Sequence, residues 1–194
     1  MAAEVLRSLD LLVLFDDHHE TFSTHTIPEA TGMNRITFVL ATVLSLPFTP
    51  LAAQDFQKGL AAAQAGDFAT TLQEWTPLAE AGSARTQNAL GYMYENGYGV
   101  PQDYAEAVRL YRLAADQGDA NAQYNLGFMY ENGQGVLQDN VMAHMWYNIG
   151  AANGNELGGE QRDSIAEGMT QQAIEQAQQM ARDCMGSGYQ NCGY

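Results

Sequence analysis

The chain has 194 residues, with 23 acidic against 8 basic side chains, a formal charge of −15 and two cysteines. That balance excludes nucleic-acid binding, which needs clustered Lys and Arg against phosphate. It also disfavours anionic membrane surfaces, and two cysteines cannot staple a disulfide-dense scaffold. An apolar content of 46% is enough for a core, so a wholly disordered chain is excluded as well.

Residues 1–32 carry Glu4, Asp10, Asp16, Asp17, Glu20 and Glu29 against Arg7 alone, and hold His18, His19 and His25. From Met33 the composition changes. Arg35 supplies a short positive start, Ile36 to Leu46 is an uncharged and mostly apolar run, and Pro47 and Pro50 break it before Leu51-Ala52-Ala53. That is the three-part layout of a secretory signal peptide, and the two prolines cut it short of the roughly 20 apolar residues a membrane span requires. Export with cleavage near Ala53 is therefore expected, leaving no stable membrane insertion. Acid ahead of such a run is unsuited to an export signal, so residues 1–32 read as an over-extended, disordered leader with translation starting at Met33. His18-His19 lacks the further ligands a metal site needs.

The expected mature segment, 54–194, holds 17 acidic and 6 basic residues, a charge of −11. A repeat organises it. Ala84–Asp119 overlays Ala120–Asn155 without a gap at an offset of 36, with 17 identities. Leu90-Gly91-Tyr92-Met93-Tyr94-Glu95-Asn96-Gly97-Tyr98-Gly99-Val100 recurs as Leu126-Gly127-Phe128-Met129-Tyr130-Glu131-Asn132-Gly133-Gln134-Gly135-Val136, and Gln102-Asp103 recurs as Gln138-Asp139. A fainter copy places Asp67, Trp75, Ala79 and Gly82 at the positions of Asp103, Tyr111, Ala115 and Gly118. The units are about 54–83, 84–119 and 120–155, near the minimum for a stable array.

Each unit reads as two helices. The first copy begins with a helix around Phe56 to Ala65 and a tight turn at Gly66. The second runs from Ala84 to Asn96, and its Gly91 implies that two helix backbones approach closely there. Gly97-Tyr98-Gly99-Val100-Pro101 is too glycine-rich for helix, with the glycines at positive φ and Val100 turned inward. Asp103 then caps a helix with Glu106 completing a capping-box pattern. Ala107, Val108, Tyr111, Ala114 and Ala115 give it an apolar stripe, and Gly118 stops it. Beyond the repeat, Asn155 caps a helix to about Ala166 and Thr170 caps another from Gln171 to about Cys184. That last pair has one wet face, as a solenoid's terminal element needs.

The motif L-G-x-M-Y-E-N-G-x-G-V, followed by Q-D, the tyrosine and the paired alanines, resembles the Sel1-like repeat, a relative of the tetratricopeptide repeat. The resemblance implies an all-α fold, a short right-handed solenoid of antiparallel helix pairs, and a protein-interaction scaffold. Many such proteins are exported from bacteria. Some exported relatives carry a disulfide in every repeat and are linked to β-lactam binding; those cysteines are absent from these repeats.

Catalytic residue types are scarce. Segment 54–194 has one histidine, His144, one lysine, Lys58, and three serines, Ser83, Ser164 and Ser187. His144 falls mid-helix opposite Val108 of the preceding copy, a structural position. No serine lies in a nucleophile-elbow pattern, and each G-x-G follows a helix rather than a strand, against a dinucleotide site. Glu95 and Glu131 repeat and could approach one another as an acid pair, or each could bond its own loop. No catalytic residue, metal site or cofactor is expected. In an oxidising compartment Cys184 and Cys192 are expected to pair as a structural disulfide.

A partner would meet the concave face lined by the first helices. There Arg85, Asn88, Tyr92 and Glu95 form one helical stripe, matched by Asn121, Tyr124, Phe128 and Glu131. Tyr92 and Phe128 either stack as core or offer aromatic anchors between acidic and amide rims. Two functions remain open: a non-catalytic exported adaptor for a protein or peptide, basic to match the −11 charge, and an envelope enzyme or binding protein for cell-wall material or a β-lactam. Short arrays can also homo-oligomerise by stacking.

Overall fold

In a computed structural model the described residues are 51–193, with side chains from Phe56 onward; residues 1–50, with most of the expected leader, lie outside them. Eight α-helices and no strand occur among the described residues: α1 Leu51–Gln64, α2 Phe68–Glu80, α3 Ala84–Asn96, α4 Tyr104–Ala115, α5 Ala120–Asn132, α6 Asn140–Ala152, α7 Glu156–Ala166 and α8 Gln171–Gly186. Cleavage after Ala53 would remove only the first turn of α1. None of these helices is long and apolar enough to cross a membrane.

Boundaries follow local chemistry. Asp67, Ser83, Asp103, Asp119, Asp139, Asn155 and Thr170 each accept a backbone N–H in the first turn of the helix that follows. A cap of this kind is worth about 1 kcal/mol. At α4 the reciprocal half of the expected capping box is missing: Asp103 accepts from Ala105 and Glu106 at 3.0 Å, but the Glu106 carboxylate takes the Arg109 guanidinium at 2.6 and 2.8 Å instead. A cation one turn ahead outcompetes the neutral N–H of Asp103 for the carboxylate, and that N–H donates to the Tyr94 carbonyl.

Helices pack as consecutive pairs, α1 with α2, α3 with α4 and α5 with α6. The glycine one turn before Ala63, Glu95 or Glu131 sets each pair. A Cβ on Gly91 would lie 2.6 Å from the Tyr111 ring, and one on Gly127 would lie 2.6 Å from the Tyr147 ring. Gly59 is overlaid in the same way by Trp75. So the repeated glycine mainly makes room for an aromatic ring of the partner helix, a correction to the expected backbone-to-backbone approach.

Amide side chains tie unit to unit. Gln87 donates to the Ala79 carbonyl at 3.0 Å and accepts from Gln117 at 2.8 Å. Gln123 repeats both bonds, to the Ala115 carbonyl at 3.1 Å and from Asn153 at 2.8 Å. The seven-residue links after α3 and α5 reach back further. Gly99, at φ 73°, presses on Phe68, and Gly135, at φ 69°, presses on the Tyr104 carbonyl, each at the start of the preceding unit's second helix. Val100 is half-buried, and Val136 packs against the main core.

The terminal pair α7 and α8 packs on α6. Ala177, Ala181 and Cys184 join one buried cluster with Met142, Met145, Trp146 and Ile149, while the opposite side of α8 stays wet. Cys184 and Cys192 are bridged. A loop this short contributes about 2–3 kcal/mol in the chain-entropy picture. The bridged loop sets Tyr189, at φ 65°, beside Gly118, with its hydroxyl and the Asn153 amide 2.8 Å apart.

Candidate functional site

The eight stripe residues do not share one environment. Phe128 is exposed at 37%, whereas Tyr92, Tyr124, Glu95 and Glu131 are half-buried. Arg85 is half-buried too, its guanidinium 4.1 Å above the Phe56 ring. Asn88 is the correction: at 1% exposure it belongs to the interior, where its Oδ1 accepts from Asn125 of the next unit at 2.9 Å. Its position turns toward the neighbouring first helix, and an amide can be satisfied there by another amide. Asn121 is engaged the same way, accepting from Asn155 at 2.9 Å.

Tyr92 and Phe128 do not stack on each other. The Tyr92 ring meets Tyr98 at 5.9 Å, and Tyr98 in turn stacks on Phe68 at 5.2 Å. Tyr124 lies 5.4 Å from Tyr147. Tyr98 and Phe68 thus extend the aromatic row toward the first unit. Tyr98 sits where the next copy has Gln134, and a large aromatic at a varying loop position was the signal in the sequence.

The two glutamates hold the tyrosines that cover the glycines. Tyr111 donates to Glu95 Oε2 at 2.5 Å and Tyr147 donates to Glu131 Oε2 at 2.6 Å. The side chains therefore do not bond their own loops; the loops are tied instead by Gln102 and Gln138, which donate to the backbone carbonyls of Glu95 and Glu131 at 2.8 and 2.9 Å. In the first unit the aromatic is Trp75, whose Nε1 donates to the Phe56 carbonyl at 3.1 Å, and the glutamate position is Ala63. Acid is present only where a phenol needs an acceptor.

Burial pushes the Glu95 carboxyl above its ordinary 4.5, opposed by the Tyr111 hydrogen bond. Burial raises the Tyr111 and Tyr147 phenols, reinforced by their glutamates, and raises Tyr124 with Glu131 and Glu95 both contributing. Tyr124 therefore senses both carboxylates. A carboxyl whose folded value is raised binds a proton more tightly when folded, so stability falls as pH rises through the window above 4.5. Urea unfolding of Glu95→Gln should show a flatter decline between pH 4 and 7 than the parent.

Three residues of catalytic type are buried or tied into helix ends. His144 is 2% exposed, and burial pushes its imidazole below the ordinary value. Ser83 caps α3 and contacts Thr86 Oγ1 at 2.8 Å, while Ser187 donates to the Cys184 carbonyl at 2.8 Å. Among the described residues no three His, Cys, Asp or Glu side chains converge as a metal site would require.

Residues 84–119 and 120–155 each match the Sel1 repeat. Among solved structures, the chain is similar to c5321, a protective antigen of uropathogenic Escherichia coli strains displaying an SLR fold. Identity there is 25% and the TM-score 0.67, over 72% of this chain and 32% of that one. The chain thus spans about a third of that antigen's length. It is also similar to a Sel1 repeat protein from Oxalobacter formigenes, with 34% identity and a TM-score of 0.53, over 59% of this chain and 89% of that one. A search of curated protein sequences finds no match. Two matched repeats, paired helices in register with them and a relative overlaid along nine-tenths of its length agree: the chain belongs to the Sel1 repeat family.

Proposed function

We propose that this chain is a non-catalytic, exported scaffold of the bacterial cell envelope that captures a basic peptide segment along the face of α3 and α5. Sel1 repeats generally mediate protein–protein interactions, which supplies the class. The observation that carries the finer reading is that half-buried Tyr92 and Tyr124 and exposed Phe128 share the helical stripe with the half-buried Glu95 and Glu131. Aromatic anchors with little rotamer entropy to lose are the residues that dominate interfaces, and acid beside them selects a cationic partner. The run from Arg35 to Ala53 supports export.

Photo-crosslinking tests the face. With a benzoylphenylalanine at position 128, one envelope protein should be captured, and an excess of a lysine-rich peptide should abolish the adduct. A crosslinker at Gln171, on the wet side of α8, should capture nothing. Equal capture from both positions would refute the assignment. Fusing residues 33–53 to a reporter active only outside the cytoplasm tests export separately.

A further inference from the structure

A second surface lies elsewhere on the array. Between α2 and α4, over α3, is an open groove of about 460 Å³ floored by Ala79, Leu90 and Leu110 and flanked by Leu113, Glu80 and Glu106. At about 100° per residue, Leu90 and Tyr94 lie on the side of α3 roughly opposite Tyr92, so the groove and the aromatic row are separate surfaces.

We propose that this groove is a docking site for an amphipathic, basic helix of a partner protein, seated as α8 is seated one unit further along. The repeat itself identifies the occupant. Shifting by 36 carries Glu106, Arg109, Leu110 and Leu113 of α4 onto Met142, Met145, Trp146 and Ile149 of α6. Those α6 residues are buried to 6% exposure or less, in one cluster with Ala177, Ala181 and Cys184 of α8. The surface that a helix covers in the last unit is thus left uncovered in the unit before it, where Leu113 remains 40% exposed.

Composition sets the kind of occupant. At the four α6 positions the covered copy is wholly apolar, as permanent interfaces are, while the matching α4 positions mix leucine with charge, as separable ones do. Its one cation, Arg109, is held by Glu106 at 2.6 Å, so Glu80 adds unbalanced acid at the rim. The helix that fits presents alanine-sized residues one turn apart, as α8 does with Ala177 and Ala181, and flanks them with Lys or Arg.

The probe is a peptide of α8 sequence, Gln171 to Gly186, carrying Cys184→Ala, Glu175→Lys and Asp183→Lys. Titrated into the full chain, it should shift backbone amide resonances of Leu90, Leu110 and Leu113. Leu113→Glu, at a half-exposed position, should weaken binding about tenfold, and Glu80→Lys should weaken it further; Phe128→Ala should leave it unchanged. No binding, shifts confined to the α3 and α5 face, or full affinity in a folded Leu113→Glu chain would overturn the proposal. So would a concentration-dependent dimer abolished by Leu113→Glu, which would give the groove to a second copy.

Discussion

Trp146→Ala should lower the unfolding free energy by about 3–5 kcal/mol, the cost of emptying a buried tryptophan site, against a typical total of about 5–15 kcal/mol for a domain. Trp146 is fully buried, and its cluster joins α6 to both α5 and the terminal α8. Repeat arrays transmit stability through nearest neighbours, so the loss should concentrate in the last unit and its cap. The chain has two tryptophans. The variant therefore keeps Trp75 as a reporter of the first unit while circular dichroism follows the whole array. Urea unfolding should show the dichroism midpoint falling furthest. A loss below about 1 kcal/mol would mean that α8 does not pack as described.

Gly135→Ala should cost about 2–5 kcal/mol, combining about 1–2 kcal/mol for left-handed backbone with about 1–3 kcal/mol of overpacking. The added methyl would overlap the Tyr104 carbonyl and stand 2.9 Å from the Ala105 nitrogen, both backbone atoms of the first turn of α4. A flexible side chain could move aside; a helix start cannot without shifting the unit. Gly154→Ala is the matched control, at φ 102° with nothing within 4 Å of the new methyl. It should show the backbone cost alone. Equal losses in the two variants, measured by urea unfolding, would show that the loop does not press on α4.

Much of the fold is legible in the sequence because its boundaries are set locally. Ser83, Asp103, Asp119, Asp139 and Asn155 cap helices at the places a 36-residue offset assigns them. What resists reading is the direction of side chains between elements. Gly91 signals a close approach, but only the fold shows that the Tyr111 ring makes it. Glu95 looks like a loop or pair residue, and its partner is a phenol sixteen positions away. Asn88 sits on the correct helix yet turns to Asn125. The α2–α4 groove is hidden for the same reason, since the sequence of α8 does not say which helices it covers.

The bond between Tyr189 and Asn153 has a consequence for how such a chain can lengthen. Asn153 keeps the ladder bond to Gln123 that Gln117 makes to Gln87, and in addition it meets the Tyr189 phenol of a disulfide-closed loop. Appending another copy after Asn155 would have to evict that loop and the helix behind it. Inserting one more 36-residue copy between 84 and 155 would leave both in place. A longer array is more readily built by inserting a copy than by adding one directly after Asn155.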